Sequence, residues 1–272
     1  MAKAFAPGNL SCIFRVCDNP EPSKKHSLGV GFTVNKGVYA TITKSQSTEI
    51  YFNNKKIEFP TVKTVIDSLT KIRVKVELQS ELELGCGFGL SGASSLATAF
   101  ALNRLFSLGK YEQELAMTAH IAEVKNSTGL GDVAGQFNGG FLMKTKIGNP
   151  LEAEILDVKE KAVYYKVFGP LHTKGILKDR KICERINSAG DNALEKIKSL
   201  VNPKFSEVIR ISKSFALESG LLTDEKMLQE IAMIESHGGN ASMIMLGKAV
   251  YSDIAFDGCK KLEISKNKAV CQ

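Results

Sequence analysis

The chain has 272 residues, 43% hydrophobic and 24% charged, with 36 Lys+Arg against 29 Asp+Glu for a formal net charge of +7. That composition excludes a disordered, collagen-like or membrane-embedded chain, and the length can bury a full core as one large domain or two modest ones. Five of the seven excess charges fall in residues 1–150, with 17 Lys+Arg against 12 Asp+Glu. This bias fits nucleic acid, an anionic membrane, a small anionic ligand or simple solubility.

No apolar run approaches the ~20 residues that span a bilayer, and the start MAKAFAPGNLSCIFRV lacks a charged-then-apolar signal pattern. A cytoplasmic protein is expected. The six cysteines form no C-x-x-C pair and there are four histidines, so reduced, mostly buried thiols are expected in place of a zinc site.

A short apolar segment opens the chain, followed by a loop rich in Pro, Ser and charge from Asp18 to His26. The runs GFTVNKGVYATITK and EIYFNNKKIEF read as strands, with Asn53-Asn54 as a hairpin turn between two alternating segments. Val62, Val65, Ile66 and Leu69 make a helical stripe. IRVKVELQSEL alternates as a half-buried strand, and LATAFALNRLFSL reads as a buried helix stopped at Gly109. A helix over about Tyr111 to Val124 follows, then the loop KNSTGLGD and the strand GFLMKTKI.

Pro150 marks an expected boundary between domains 1–150 and 151–272. The second half reads as strands AEILDV and KAVYYKVFG, a helix from about Leu177 to Ile186, and helices near 191–200, 204–218 and 224–236. One strand, ASMIMLGKAVY, stands near the end. Hairpins mixed with helices argue for an α+β fold over a doubly wound parallel sheet.

The strongest chemical signal is Gly85-Cys86-Gly87-Phe88-Gly89-Leu90-Ser91-Gly92, set between a strand and a helix. Glycines let a backbone approach a ligand closely, and a helix start offers unpaired N–H groups and a positive dipole end, which suits phosphate. GFGLSG formally matches the dinucleotide fingerprint G-x-G-x-x-G. That reading needs a strand ending in an acidic residue about 20 residues on, where YEQELAMTAHIAEV looks helical. A Walker loop would need Lys-Ser/Thr after its second glycine, and a protein-kinase loop would need later HRD and DFG motifs; the chain has neither.

His120 and Glu123 share a helix face, and Asp132 follows in the Gly129-Leu130-Gly131 turn that can return it toward the helix end. Beside a phosphate loop, one carboxylate can bind magnesium and another can accept a proton from an alcohol. Ala6-Pro7-Gly8-Asn9 signals a turn, and Ser27 and Ser91 are candidate hydroxyl ligands.

Taken in order, these segments resemble the GHMP small-molecule kinases, which open with A-P-G, carry the loop G-x-G-L-G-S-S-A and have a later glycine followed shortly by an aspartate. Ala6-Pro7-Gly8, Gly85 to Gly92 and Gly129 to Asp132 match these motifs. APGN, SLGVGF, GFGLSGASSLATAFALN, AHIAEVKNSTGLGD and GGFLMKTKIG, across most of residues 4–148, look like the archaeal pantoate kinase branch. The resemblance implies a two-domain α+β fold with the active site between the halves, ATP and Mg2+ as cofactors, a hydroxy-acid substrate, and a homodimer with no nucleic-acid or membrane partner.

It further implies that Gly85, Gly87, Phe88, Gly89, Leu90, Ser91 and Gly92 hold the nucleotide. Ser91 and Glu123 would hold the metal, Asp132 would activate the hydroxyl, and Ser27, His120 and Lys144 would contact the substrate. The sequence departs from the pattern at Leu90, where a serine is usual, at Asn9, where a basic residue is commoner, and at Leu28 and Lys144, where the branch has arginine. The late glycine-rich motif is blurred into Gly238-Gly239-Asn240-Ala241-Ser242. A GHMP kinase for mevalonate, homoserine or a sugar is an alternative, and a nucleic-acid-binding module or a nicotinamide enzyme would be a different class.

Overall fold

The computed structural model describes residues 1–160, 162–170 and 179–272. The first half runs β1 (Ala2–Cys17), β2 (His26–Lys44), β3 (Glu49–Phe52), β4 (Lys55–Lys56), α1 (Pro60–Leu69), β5 (Val74–Gln79), α2 (Leu90–Phe106), α3 (Glu112–Asn126), α4 (Asp132–Asn138), β6 (Phe141–Lys144) and β7 (Glu154–Ile155). The second runs β8 (Ala162–Gly169), α5 (Arg180–Lys198), α6 (Phe205–Glu218), α7 (Glu225–Ser236), β9 (Ala241–Met243), β10 (Lys248–Ser252), β11 (Lys260–Glu263) and β12 (Val270–Cys271).

One sheet has the order β12-β1-β2-β5-β3-β4, with β6 pairing β2 and β7 pairing β6; the other has the order β11-β8-β10-β9. All pairings are antiparallel except β3 with β5, whose connection passes through α1. The fold is α+β, as the mixture of hairpins and helices predicts. Asn53 and Asn54 turn between β3 and β4 at φ 47° and 66°, as a tight hairpin with two left-handed residues requires.

β1 is buried along almost its whole length, because α2 packs on it and so do α5 and α6. A strand covered on both faces loses the apolar–polar alternation that would announce it. The Ala6-Pro7-Gly8 segment is therefore part of a strand, with a register shift between Pro7 and Asn9, and not a free turn. A bulge is where a sheet tolerates a proline that cannot donate to the ladder.

Three other expectations change. The helices placed at about Leu177–Ile186 and 191–200 are one helix, α5; Leu177 itself lies outside the described residues. Residues 187–190 read as a break, yet Val16 N–H donates to Asn187 Oδ1 at 2.8 Å, and a Cβ on Gly190 would stand 2.7 Å from the Phe14 carbonyl. Gly190 is the place where the helix lies directly on β1. The strand ASMIMLGKAVY is a hairpin, β9 and β10, turning at Leu246 with φ 59°. AEILDV shrinks to the two-residue β7, on the edge beside β6.

No helix among the described residues is long and apolar enough to cross a membrane.

Candidate active site

The glycine loop leaves β5 and enters α2 with Gly85, Gly87 and Gly89 at φ 80°, 90° and 61°. This left-handed backbone is open to glycine at little cost. Gly89 is the N-cap of α2 and has no side-chain capping bond, so the first N–H groups of the helix are free for a ligand. The loop is fixed from both halves of the chain. Asn9 N–H donates to the Phe88 carbonyl at 3.0 Å, Gln136 Nε2 donates to the Gly89 carbonyl at 2.7 Å, and the Phe88 ring packs edge-on to Tyr165 with centroids 5.1 Å apart.

The turn after β9 meets the loop on its other side. Gly247 lies against the Cys86 carbonyl and Gly87 N–H so closely that a Cβ would collide with them, and a Cβ on Gly87 would come within 2.7 Å of Ile244. The blurred motif at Gly238 to Ser242 instead lies between α7 and the start of β9. The glycine that lies against the loop is Gly247.

The loop borders a cleft of about 440 Å³, lined also by Ser27, Thr128, Gly129, Gly131 and Asp132, and by Ile57 to Thr61. Among the described residues, Met245 and Leu246 are its contribution from the second half. A cavity of this size suits a small organic ligand.

Ser91 lies on the first turn of α2, where its hydroxyl donates to Glu123 Oε2 at 3.0 Å; Thr128 Oγ1 donates to the other oxygen at 2.8 Å. Glu123 is buried because a Cβ on Gly129 would stand 2.5 Å from its Oε2, so only glycine lets the α3–α4 loop close over it. Burial first, then the neighbouring Asp132 charge, push the Glu123 carboxyl up to about 8. Asp132 is the first residue of α4 and accepts a hydrogen bond from Asn9 Nδ2 at 2.9 Å. Burial raises its pKa too, and the Asn9 bond opposes that rise. Asn9, noted in the sequence as the replacement of a basic residue, thus supplies a neutral donor to the carboxylate.

The structure brings Ser27, Gly85, Gly87, Phe88, Gly89, Leu90, Ser91 and Asp132 to the cleft wall, with Glu123 directly behind Ser91. Gly92 is set back from the cleft, where a Cβ would meet Gln136 Oε1 at 2.8 Å. Lys144, buried, lines a smaller pocket beside the cleft and donates to the Asn149 carbonyl. Burial lowers its pKa to about 8, with Glu152 opposing.

His120 departs most from expectation. It is buried away from both cavities, and its Nε2–H donates to the Lys25 carbonyl at 2.9 Å. Its side chain turns inward, toward the segment that leads into β2. His26, passed over in the sequence, is buried near it, and its Nε2 has no partner. Thr128, Gln136 and the Ile57–Thr61 wall were also missed. Thr128 stood in plain view in the loop KNSTGLGD, but threonine is too common to mark a site alone.

Burial holds the His120 pKa down at about 4, below its ordinary 6.5, against the opposing bond to Lys25. Above pH 6.5 both folded and unfolded chains carry it neutral; between 6.5 and 4 only the unfolded chain takes the proton. Stability should therefore fall through that window by about 3 kcal/mol from this residue. Calorimetric Tm values between pH 7 and 4.5 check this: His120→Gln should flatten the decline, and an unchanged slope would reject it.

Residues 60–140 match the family model described as GHMP kinases N terminal domain. The chain is 32% identical to a pantoate kinase of Methanocaldococcus jannaschii over 275 residues, covering 98% of each. It is 31% identical to a pantoate kinase of Thermococcus kodakarensis, over 96% of this chain and 90% of that one. A solved structure titled phosphotransferase related to CoA biosynthesis pathway superimposes with a TM-score of 0.85 at 27% identity, over 100% of this chain and 98% of that one.

Proposed function

Since the chain belongs to the GHMP kinase family and to its pantoate kinase branch, we propose that it transfers the γ-phosphoryl group of ATP to the primary hydroxyl of (R)-pantoate. The products are 4-phosphopantoate and ADP, on the way to coenzyme A. One observation carries the residue roles: Asp132, Ser91 and the glycine loop face a single cleft, with Glu123 behind Ser91.

The loop N–H groups and the start of α2 hold the phosphates by hydrogen bonding and dipole. Magnesium usually takes one or two carboxylates together with substrate phosphates. Glu123 and Ser91 fit that demand, because a carboxylate pushed up to about 8 by burial and by the neighbouring Asp132 charge is a group a cation would relieve. Bound there, the metal would neutralise charge on the phosphates.

In the transfer, the C4 oxygen forms a bond to the γ-phosphorus while the bond to the β–γ bridging oxygen breaks. The hydroxyl proton passes to Asp132 or is oriented by it, and Asn9 fixes the carboxylate that receives it. Phosphoryl transfer asks chiefly for positioning and charge neutralisation, which this cleft offers. Ser27 and Lys144 hold the acceptor's hydroxyl and carboxylate, and His120 supports that wall from behind.

With this reading go a division into halves near residue 150 flanking the cleft, a homodimer and a cytosolic setting; six cysteines, none in a disulfide, support the last. Light scattering tests the dimer.

A coupled ADP-release assay across pantoate, pantothenate, mevalonate, homoserine and shikimate tests the activity. Turnover with pantoate is expected. Turnover with any other of these alcohols and none with pantoate would reject the acceptor.

A further inference from the structure

Gln136 is wholly buried behind the phosphate loop. It stands on α4 four positions after Asp132, so the two side chains leave the helix on one face. Both reach the same glycine. A Cβ on Gly89 would stand 3.0 Å from Asp132 Oδ1 and 3.0 Å from Gln136 Nε2. The spacing between Asp132 and the start of α2 is therefore set at this one residue.

The Gly89 carbonyl takes two hydrogen bonds, from Ala93 N–H at 3.0 Å and from Gln136 Nε2 at 2.7 Å. The first belongs to α2; the second comes from outside that helix. A trans peptide is planar, with its C=O and N–H pointing in opposite directions, so fixing the Gly89 carbonyl aims the Leu90 N–H. Asn9 does the same one residue earlier. Its N–H donates to the Phe88 carbonyl at 3.0 Å, which aims the Gly89 N–H. Gly89 is left-handed, at φ 61° and ψ 25°, and Leu90 begins the right-handed helix. Backbone that changes hand between successive residues gathers their N–H groups into a concavity for anions. Gly89 and Leu90 both line the cleft.

The Gln136 side chain is also held at its root, where its own carbonyl accepts from Ala269 N–H at 2.9 Å. A Cβ on Gly92 would stand 2.8 Å from Gln136 Oε1, so glycine there lets the amide lie on the first turn of α2. Oε1 has no hydrogen-bond partner among the described residues. A buried acceptor left unpaired costs stability, and packing alone would favour an apolar side chain of the same outline. What the amide adds is the donor at Nε2.

We propose that Gln136 is a positioning residue of the phosphoryl transfer: by holding the Gly89 carbonyl it aims the loop N–H groups at the phosphates and keeps them in register with Asp132. The inference rests on the kinase reading above and adds what sets the distance between the phosphates and the proton acceptor. Gln136 does not line the cleft and acts through Gly89.

The test is Gln136→Met, which keeps the outline and removes both the donor and the unpaired carbonyl. Its Tm should equal or exceed that of wild type. A misplacement of ~1 Å can cost ~100-fold in rate, so kcat should fall ~10- to 100-fold. The KM for ATP should rise ~10-fold as the N–H groups lose their aim, while the KM for the acceptor stays within about threefold. A residue that only supports the fold would lower Tm and raise both KM values together. If Gln136→Met does not fold, Gln136→Asn reads the same split, because its amide falls one methylene short of the Gly89 carbonyl.

A kcat within about threefold of wild type, or a fallen Tm with both KM values raised, would overturn the role of Gln136 and leave the kinase assignment standing. Absence of ATP-dependent turnover by wild type on every alcohol named above would overturn the kinase reading and this inference with it.

Discussion

Asp132→Asn is expected to lower kcat ~100- to 10,000-fold, the usual contribution of a positioned acid–base group, and to leave the fold intact. The two halves of that expectation have separate causes. Asp132 lies on the cleft wall beside the phosphate loop, where a hydroxyl oriented for transfer needs an acceptor for its proton. Asparagine has the same outline, and its carbonyl oxygen can still accept from Asn9 Nδ2, which now donates to Oδ1 at 2.9 Å. Burial already disfavours the ionised form of Asp132, so removing the charge relieves a cost. The expected result is a Tm equal to or above that of wild type, with the KM for ATP changed by no more than about threefold and the loss confined to kcat. A kcat within about tenfold of wild type would remove Asp132 from the proton step.

Glu123→Gln is the second large effect, and it separates structure from metal binding. Ser91 and Thr128 each donate to one Glu123 oxygen, at 3.0 and 2.8 Å. Glutamine's carbonyl accepts one of these bonds, and the other hydroxyl can rotate to accept from its amide. The buried site loses no partner, so the variant should fold with a Tm no lower than that of the parent. A neutral amide is a poor ligand for a hard dication, so activity at fixed magnesium should fall ~100-fold or more, with the magnesium concentration for half-activity rising. Activity titrated against magnesium checks this. Loss of activity with an unchanged magnesium midpoint would remove Glu123 from the metal and leave it a purely structural group.

What the sequence disclosed and what it hid divide along one physical line. The glycine loop and α2 were readable because positive φ favours glycine at Gly85, Gly87 and Gly89, and glycine shows in a sequence. α1 was readable because its buried face repeats locally at Val62, Val65 and Ile66. Long-range approach left weaker traces. Gly190 broke the helical reading of α5, although its job is to let that helix touch β1. The β9–β10 turn places Leu246 in a left-handed conformation, where turn chemistry favours Gly or Asn, so no turn signal marked it.

β1 hid for another reason: buried on both faces, it has no alternation to read. At the site, the pair Glu123 and Asp132 was legible from spacing, and the partners Asn9, Thr128 and Gln136 were not. A hydrogen bond spanning 123 positions, as between Asn9 and Asp132, has no sequence signature. His120 shows the same limit: its spacing from Glu123 is readable, but its bond to the Lys25 carbonyl, 95 positions away, is not.

The contact of Gly247 with the backbone of Cys86 and Gly87 ties two distant stretches of chain to one equilibrium. A nucleotide that orders the phosphate loop must also order the hairpin of β9 and β10, because neither backbone can shift without the other. Thermodynamic reciprocity then runs in both directions. Loosening the hairpin, far from any phosphate, weakens the hold on ATP by the same factor by which ATP tightens the hairpin. The second half of the chain, which among the described residues gives the cleft Met245 and Leu246, would act on a bound nucleotide through this linkage.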